Sequence, residues 1–235
     1  MTFLSLINNV ERIVGLPNTS VSVNASTDEN TRRLVALANE EGLHLARRHA
    51  WQALVTEHTF TGTAADVQVG AIPSDVDRYL HVSFYNRTKR RRLVGPMDAE
   101  EWQYQKALTA AVITDAFRIR GNSFLITPTP STGDTYAYEY VTENWCQSAG
   151  GTGQTEWSAD DDIGVVDEKL MQLGIVWRWL QINGFDYAER YNEYEREVSQ
   201  AIMRDGSRRV LNFANDIGLY DNARYPVVPE GSWSL

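Results

Sequence analysis

The sequence predicts an α+β fold: a helix bundle, built from one long N-terminal helix and a C-terminal helix hairpin, with a small antiparallel β domain inserted and an extended C-terminal tail. Three observations predict it. Apolar residues recur at helical spacing near both ends, over residues 3–50 and 165–201. Between these stretches, from Trp51 onward, the period changes to two. After Asp205 no period is sustained, yet the chain stays rich in apolar and aromatic residues.

Leu4, Ile7, Val10 and Val14 predict a short amphipathic helix over residues 3–14, stopped by Gly15 and Pro17. Ser26 and Glu29 read as a capping box that opens a long helix to about Ala50. Leu34, Leu37, Ala38, Leu45 and His49 form its apolar side, while Arg32, Arg33, Glu40, Glu41, Arg47 and Arg48 solvate it or contact neighbours.

Residues 55–61 alternate as a strand. Short extended stretches follow at 67–69 and 72–79, then alternation over 80–85, a turn at Asn86–Lys89 and a return over 90–94. Residues 98–110 read as an inserted helix. The clearest hairpin is Phe117–Arg120, Gly121–Asn122, Ser123–Ile126, because Gly-Asn fits a tight reversal. Pro128 and Pro130 close that strand, and Tyr136, Tyr138 and Tyr140 mark one more. Together residues 52–142 predict one mostly antiparallel sheet with a helix inserted.

The composition of residues 146–156, CQSAGGTGQTE, predicts a flexible loop. The next helix carries Val166, Leu170, Leu173, Trp177 and Leu180 at spacings of four and three, with further apolar residues on its other sides, so it is buried on most of its surface. Gly184 ends it. Asp186 and Glu189 open a partner helix with a Tyr187–Tyr191–Tyr194–Val198–Ala201 seam, which completes an antiparallel hairpin. The expected division is therefore a helical domain of residues 1–51 and 158–204, a β-rich insertion of 52–145, a loop of 146–157 and a docking extension of 205–235.

Hydrophobic residues make up 43% of the 235-residue chain, enough for a core, and the formal charge is −9. The charge is uneven: residues 134–235 carry 18 acids and 8 bases, whereas residues 1–133 are close to neutral. That balance disfavours nucleic-acid binding by bulk charge, but suits a wall along which DNA slides without sticking. The N-terminus lacks the basic start of a signal peptide, and no apolar run reaches the ~20 residues that span a bilayer. A cytosolic product without membrane contact is expected. The single cysteine, Cys146, reads as a reduced thiol in a loop.

The sequence calls for no catalytic residue, metal or cofactor. His44, His49, His58 and His81 are dispersed, and the first two lack the four-residue spacing of a zinc pair. Asp160–Asp162 fail the calcium-loop pattern and read instead as acids complementing the start of the following helix. Gly150–Gly153 has no Lys-Ser or Lys-Thr after it, so it is not a phosphate cradle. A carboxylate-based hydrolase is the enzymatic alternative, because any two acids can meet in space. Arg87, Lys89, Arg90, Arg91 and Arg92 form the strongest basic cluster. They read either as a docking hairpin for phosphate or an acidic partner surface, or as a charged edge that blocks strand pairing. In the tail, Arg208, Arg209, Phe213, Tyr220, Tyr225 and Trp233 are the candidate partner contacts.

An ordered series of landmarks carries a resemblance. It runs from Arg47-Arg48-His49-Ala50-Trp51 through Ile72-Pro73-Ser74-Asp75-Val76-Asp77-Arg78 to Phe117-Arg118-Ile119 and Leu125–Pro130. Tyr136–Tyr140, Asp160–Asp162, Trp177-Arg178-Trp179 and Gly184-Phe185-Asp186-Tyr187 complete it. Over about residues 27–205 the chain resembles the head-to-tail adaptor (connector) proteins of tailed bacteriophages. The resemblance implies a structural virion protein at the head–tail interface, present in the host cytoplasm during assembly. It implies a ring, dodecameric in this kind of protein, that joins the portal protein to the downstream tail or nozzle protein. The ring would continue the channel through which genomic DNA passes without sequence-specific contact. It also implies that a C-terminal extension docks on the portal.

Overall fold

The computed structural model describes residues 2–17, 22–107 and 115–206. Helix α1 (Phe3–Val14) starts on the Thr2 side chain and ends with Gly15 in the left-handed conformation (φ 78°), as the sequence predicts. Helix α2 (Glu29–Arg48) follows. Its N-cap is Asp28, whose carboxylate accepts from Thr31 N at 2.9 Å, and not Ser26. Ser26 Oγ instead accepts from Asp28 N at 3.2 Å and shapes the approach to the cap.

The β-rich region begins with β1 (Val55–Thr61), β2 (Val67–Gln68) and β3 (Val76–Tyr79). The alternation over 80–85 does not make a strand. His81–Ser83 form a 3₁₀ turn, stabilised by Ser83 Oγ donating to Leu80 O at 2.6 Å. Only Tyr85–Asn86 (β4) then pair, with β5 (Arg91–Arg92). Helix α3 spans Ala99–Ala107, and the rest of the predicted 98–110 helix lies outside the described residues. Strands β6 (Ala116–Arg120) and β7 (Ser123–Thr127) form the predicted hairpin, with Arg120 opposite Ser123 and Gly121 at φ 57°. Strand β8 (Thr135–Thr142) is the longest.

These strands make two sheets rather than the one expected. The larger has the order β1-β8-β4-β5, with β3 pairing on β8, and the smaller has the order β2-β7-β6. One edge of β8 holds all of β1, and its other edge is shared by β4 and β3. The reason for two sheets is aromatic. Phe60, Phe84, Phe117, Phe124, Tyr136, Tyr138 and Tyr140 gather in one buried cluster contributed by both sheets. Phe84 stacks on Phe117 at 4.2 Å and on Tyr138 at 4.5 Å, contacts worth about 0.5–1.5 kcal/mol each beyond their burial.

After β8 come β9 (Cys146–Gln147), β10 (Gly153–Gln154) and β11 (Ile163–Gly164). They pair as a small sheet in the order β10-β9-β11. The expected 146–157 loop is thus pinned at both ends, and Cys146 is buried rather than placed in a loop. Trp145, Cys146 and Trp157 all enter the helical core. The Asp160 and Asp162 carboxylates do not complement the start of the following helix. Asp160 accepts from Val23 N and Asn24 N at 2.9 and 2.8 Å. Asp162, buried, accepts from Ser158 N and Ala159 N at 2.7 and 2.8 Å. Helix α4 starts later, at Glu168, with Asp167 as its cap, and runs to Ile182. Helix α5 (Ala188–Asp205) closes the hairpin, with Asp186 accepting from Ala188 N at 3.1 Å.

The helical core joins α1, α2, α4 and α5, and draws in Trp51, Leu54 and Val141 from the β region. Strand β8 therefore turns its tyrosines into the sandwich, while on its other face Val141 packs into the helical core and Glu139 is exposed. The compact core runs to Asp205, and Gly206–Leu235 is a second unit.

Candidate functional site

The end of α2 is the place where the elements are tied together. A helix leaves its last carbonyls without internal partners. Here side chains from elsewhere satisfy them. Trp51 Nε1 donates to Leu45 O at 2.7 Å. Arg78 of β3 donates to Ala46 O at 2.8 Å, Arg47 O at 3.2 Å and His49 O at 2.8 Å. A guanidinium at a helix C-terminus also complements the helix dipole. The same motif contributes Asp75, which accepts from Tyr140 Oη at 3.0 Å and Thr142 Oγ1 at 2.7 Å and holds the start of β3 to the end of β8. The Ile72–Arg78 landmark is thus a seam between sandwich and helices.

One turn earlier on α2 lies a buried polar network. Glu41 is fully buried; it accepts from Tyr194 Oη at 2.5 Å and from Arg178 Nε at 2.7 Å. Arg178 also reaches Glu40 at 2.6 Å and lies over the Trp177 ring at 4.8 Å. Burial pushes the Glu41 carboxyl above its ordinary pKa, and the bonds from Tyr194 and Arg178 oppose that shift. Burial likewise raises the Tyr194 phenol. Arg48 grips Glu195 of α5 with both terminal nitrogens, which holds the Glu195 carboxyl below its usual range and raises the guanidinium. Glu41 and Arg48 therefore do more than solvate α2; they bolt it to α4 and α5. Gly174 makes this possible, since a Cβ there would sit 2.2 Å from Glu41 Cδ. Gly42 does the same for Trp145, whose ring would meet a Cβ at 2.4 Å.

Over this network lies a shallow depression of about 470 Å³ bordered by Leu43, Arg47, Trp177 and Tyr191. A neighbouring one of about 390 Å³ shares Trp177 and Tyr191 and adds Tyr187. Tyr187 and Tyr191 are part of the predicted α5 seam, yet remain 37% and 39% exposed, whereas Tyr194, Val198 and Ala201 pack into the helical core. Ile182 at the end of α4 and Phe185 in the α4–α5 connection are exposed as well.

The basic cluster occupies the β4–β5 turn and the edge strand β5. The turn is held by Asn86, whose Oδ1 accepts from Lys89 N at 2.9 Å, and by Thr88 Oγ1, which accepts from Thr135 N at 2.9 Å. Arg87 pairs with Glu57 at 2.7 Å. Lys89 lies 3.0 Å from Asp134 and 3.9 Å from Asp115, both buried, and the Asn86 amide bridges the same two acids. Arg90 adopts a positive φ of 54°. Part of the cluster thus serves the turn itself, and Arg91 and Arg92 line the sheet edge. The tail candidates Arg208, Arg209, Phe213, Tyr220, Tyr225 and Trp233 lie outside the described residues.

The histidines occupy separate places. His44 Nδ1 is 3.4 Å from Tyr194 Oη, His58 Nε2 is 2.9 Å from Gly70 O, and His49 Nε2 is 3.3 Å from Asp205. Among the described residues no group of three or more His, Cys, Asp or Glu is arranged to hold a metal ion. Among them, too, no helix is long and apolar enough to cross a membrane. Sequence reasoning missed Glu41, Arg78 and Asp205 as tying residues. Their partners come from distant segments, which no local pattern identifies.

No curated protein matches the chain. A family model described as SU10 adaptor protein matches residues 1–216, beyond both ends of the 27–205 stretch over which the landmarks carry the resemblance. With nearly its whole length matched, the chain belongs to the SU10 adaptor protein family, a family of bacteriophage structural adaptors.

Proposed function

We propose that this protein forms a ring, dodecameric in its mature state, between the portal and the tail of a bacteriophage virion, and that the ring continues the channel for genomic DNA. The observation that carries the reading is the family match itself, which runs past the end of the compact core at Asp205 and into the C-terminal unit. In this reading the core is the ring-forming body. The extension, through Arg208, Arg209, Phe213, Tyr220, Tyr225 and Trp233, docks on the portal protein. The core receives the downstream tail or nozzle protein, with the basic β4–β5 turn as a contact. Its acidic excess suits a lumen that DNA traverses without adhering. In this reading a preformed portal is the template for assembly.

The test is removal of the extension. A chain of residues 1–206 should keep the circular dichroism and cooperative melt of the core and lose binding to portal rings. A truncated chain that still decorates portal rings would refute the docking role. Negative-stain images of the full-length complex supply the symmetry, and a ring without the portal's symmetry would refute the stoichiometry.

A further inference from the structure

The last residue of α5 sits where an acid is least favoured, because a helix C-terminus carries partial negative charge. Asp205 is nevertheless held tightly. Its Oδ2 accepts from the backbone N of Gln52 at 2.9 Å and lies 3.3 Å from His49 Nε2, and its side chain is only 19% exposed. Both partners belong to the segment joining α2 to β1, and that segment is itself rigidly placed. His49 O is bound by Arg78 at 2.8 Å, the Trp51 indole is tied to Leu45 O at 2.7 Å, and the His49 and Trp51 rings meet edge-on at 5.0 Å. The Arg48–Glu195 pair clamps the same helix to α2 ten residues earlier, about 15 Å along its axis. The final turns of α5 are thus gripped at two points, the second being the last residue before the C-terminal unit.

We infer that the Asp205–His49–Gln52 clasp is a positioning device for partner docking: it fixes the root from which residues 206–235 leave the core. This rests on the reading that the extension docks on the portal. Fixing a point of attachment lowers the entropic cost of binding through whatever is attached to it, which is the general source of affinity from preorganisation. Asp205 acts through the chain that follows it and touches no partner.

The experiment uses the full-length chain and purified portal rings, and reads both the dissociation constant and the melting temperature. Asp205→Ala breaks the clasp. A five-residue Gly/Ser insertion after Gly206 keeps the clasp and the core but uncouples them from the extension. Each should weaken portal binding at least about tenfold, mainly through faster dissociation, and the insertion should leave the melt unchanged. Asp205→Asn, which keeps an oxygen for the Gln52 amide, should retain most of the affinity. A parallel Trp233→Ala, Arg208→Glu variant tests the extension itself. If that variant weakens binding while the insertion binds as tightly as wild type, the positioning role is overturned and the docking reading stands. If that variant binds like wild type, the docking reading falls, and the positioning role with it.

Discussion

Substituting Gly174 by alanine should destabilise the protein, although in most helices the same change stabilises. The added Cβ would lie 2.2 Å from Glu41 Cδ, 2.3 Å from Oε1 and 2.5 Å from Cγ, so Glu41 must move. It has no room in which to move well, being fully buried between α2 and α4. Displacement breaks its bonds from Tyr194 and Arg178 and leaves a poorly paired carboxylate in the core, at a cost of about 3–5 kcal/mol. The helix propensity of alanine over glycine returns about 1 kcal/mol. The net loss is about 2–4 kcal/mol, or about 5–15 °C in Tm for a domain of this size. Urea unfolding of wild type, Gly174→Ala, Glu41→Ala and the double variant forms a thermodynamic cycle. In the Glu41→Ala background the glycine substitution should be neutral or stabilising by up to about 1 kcal/mol. A single variant as stable as wild type would refute the close-contact argument.

Other outcomes follow from the same structure. Because burial raises the Glu41 pKa, the native state keeps a proton that the unfolded chain has released. Its effect is that stability rises as pH falls from the native pKa toward the ordinary value of 4.5, and Glu41→Gln should remove that slope from urea midpoints measured against pH. Glu195 behaves in the opposite sense: Arg48 depresses its pKa, so its stabilisation is complete above 4.5 and lost as pH falls through the native value, and Glu195→Gln should flatten that acid limb. Asp28→Ala should lower the urea midpoint through loss of the α2 cap, while Ser26→Ala should lower it less than half as much. The Cys146 thiol, pushed up to about 12 chiefly by burial, should resist a thiol reagent at neutral pH in the native protein and react at once in denaturant.

What the sequence made legible was local. Period and punctuation located α1 with its Gly15 stop, the Gly121–Asn122 hairpin, the β8 tyrosines and the α4–α5 hairpin, because each depends on residues within a few positions of one another. Misreadings arose where distant partners decide. Two cap signals stand two residues apart before α2, and Asp28 prevails by binding Thr31, a buried residue of the first turn. The Gly-rich stretch after Cys146 has the composition of a loop, yet burial of Trp145 and Trp157 in the helical core pins it as a small sheet. Asp160 has the look of a helix-start acid until its partners, Val23 and Asn24, arrive from the other end of the chain. Glu41 sits in a run of charges, and only Arg178 and Tyr194, more than a hundred residues away, make it the bolt of the bundle.

In the proposed function this chain completes a portal rather than acting alone. Native mass spectrometry of the full-length protein titrated into intact portal rings tests it most directly. Saturation is expected at one copy per portal subunit, in a single symmetric complex. Folded protein and intact portal that remain separate at all ratios would contradict it.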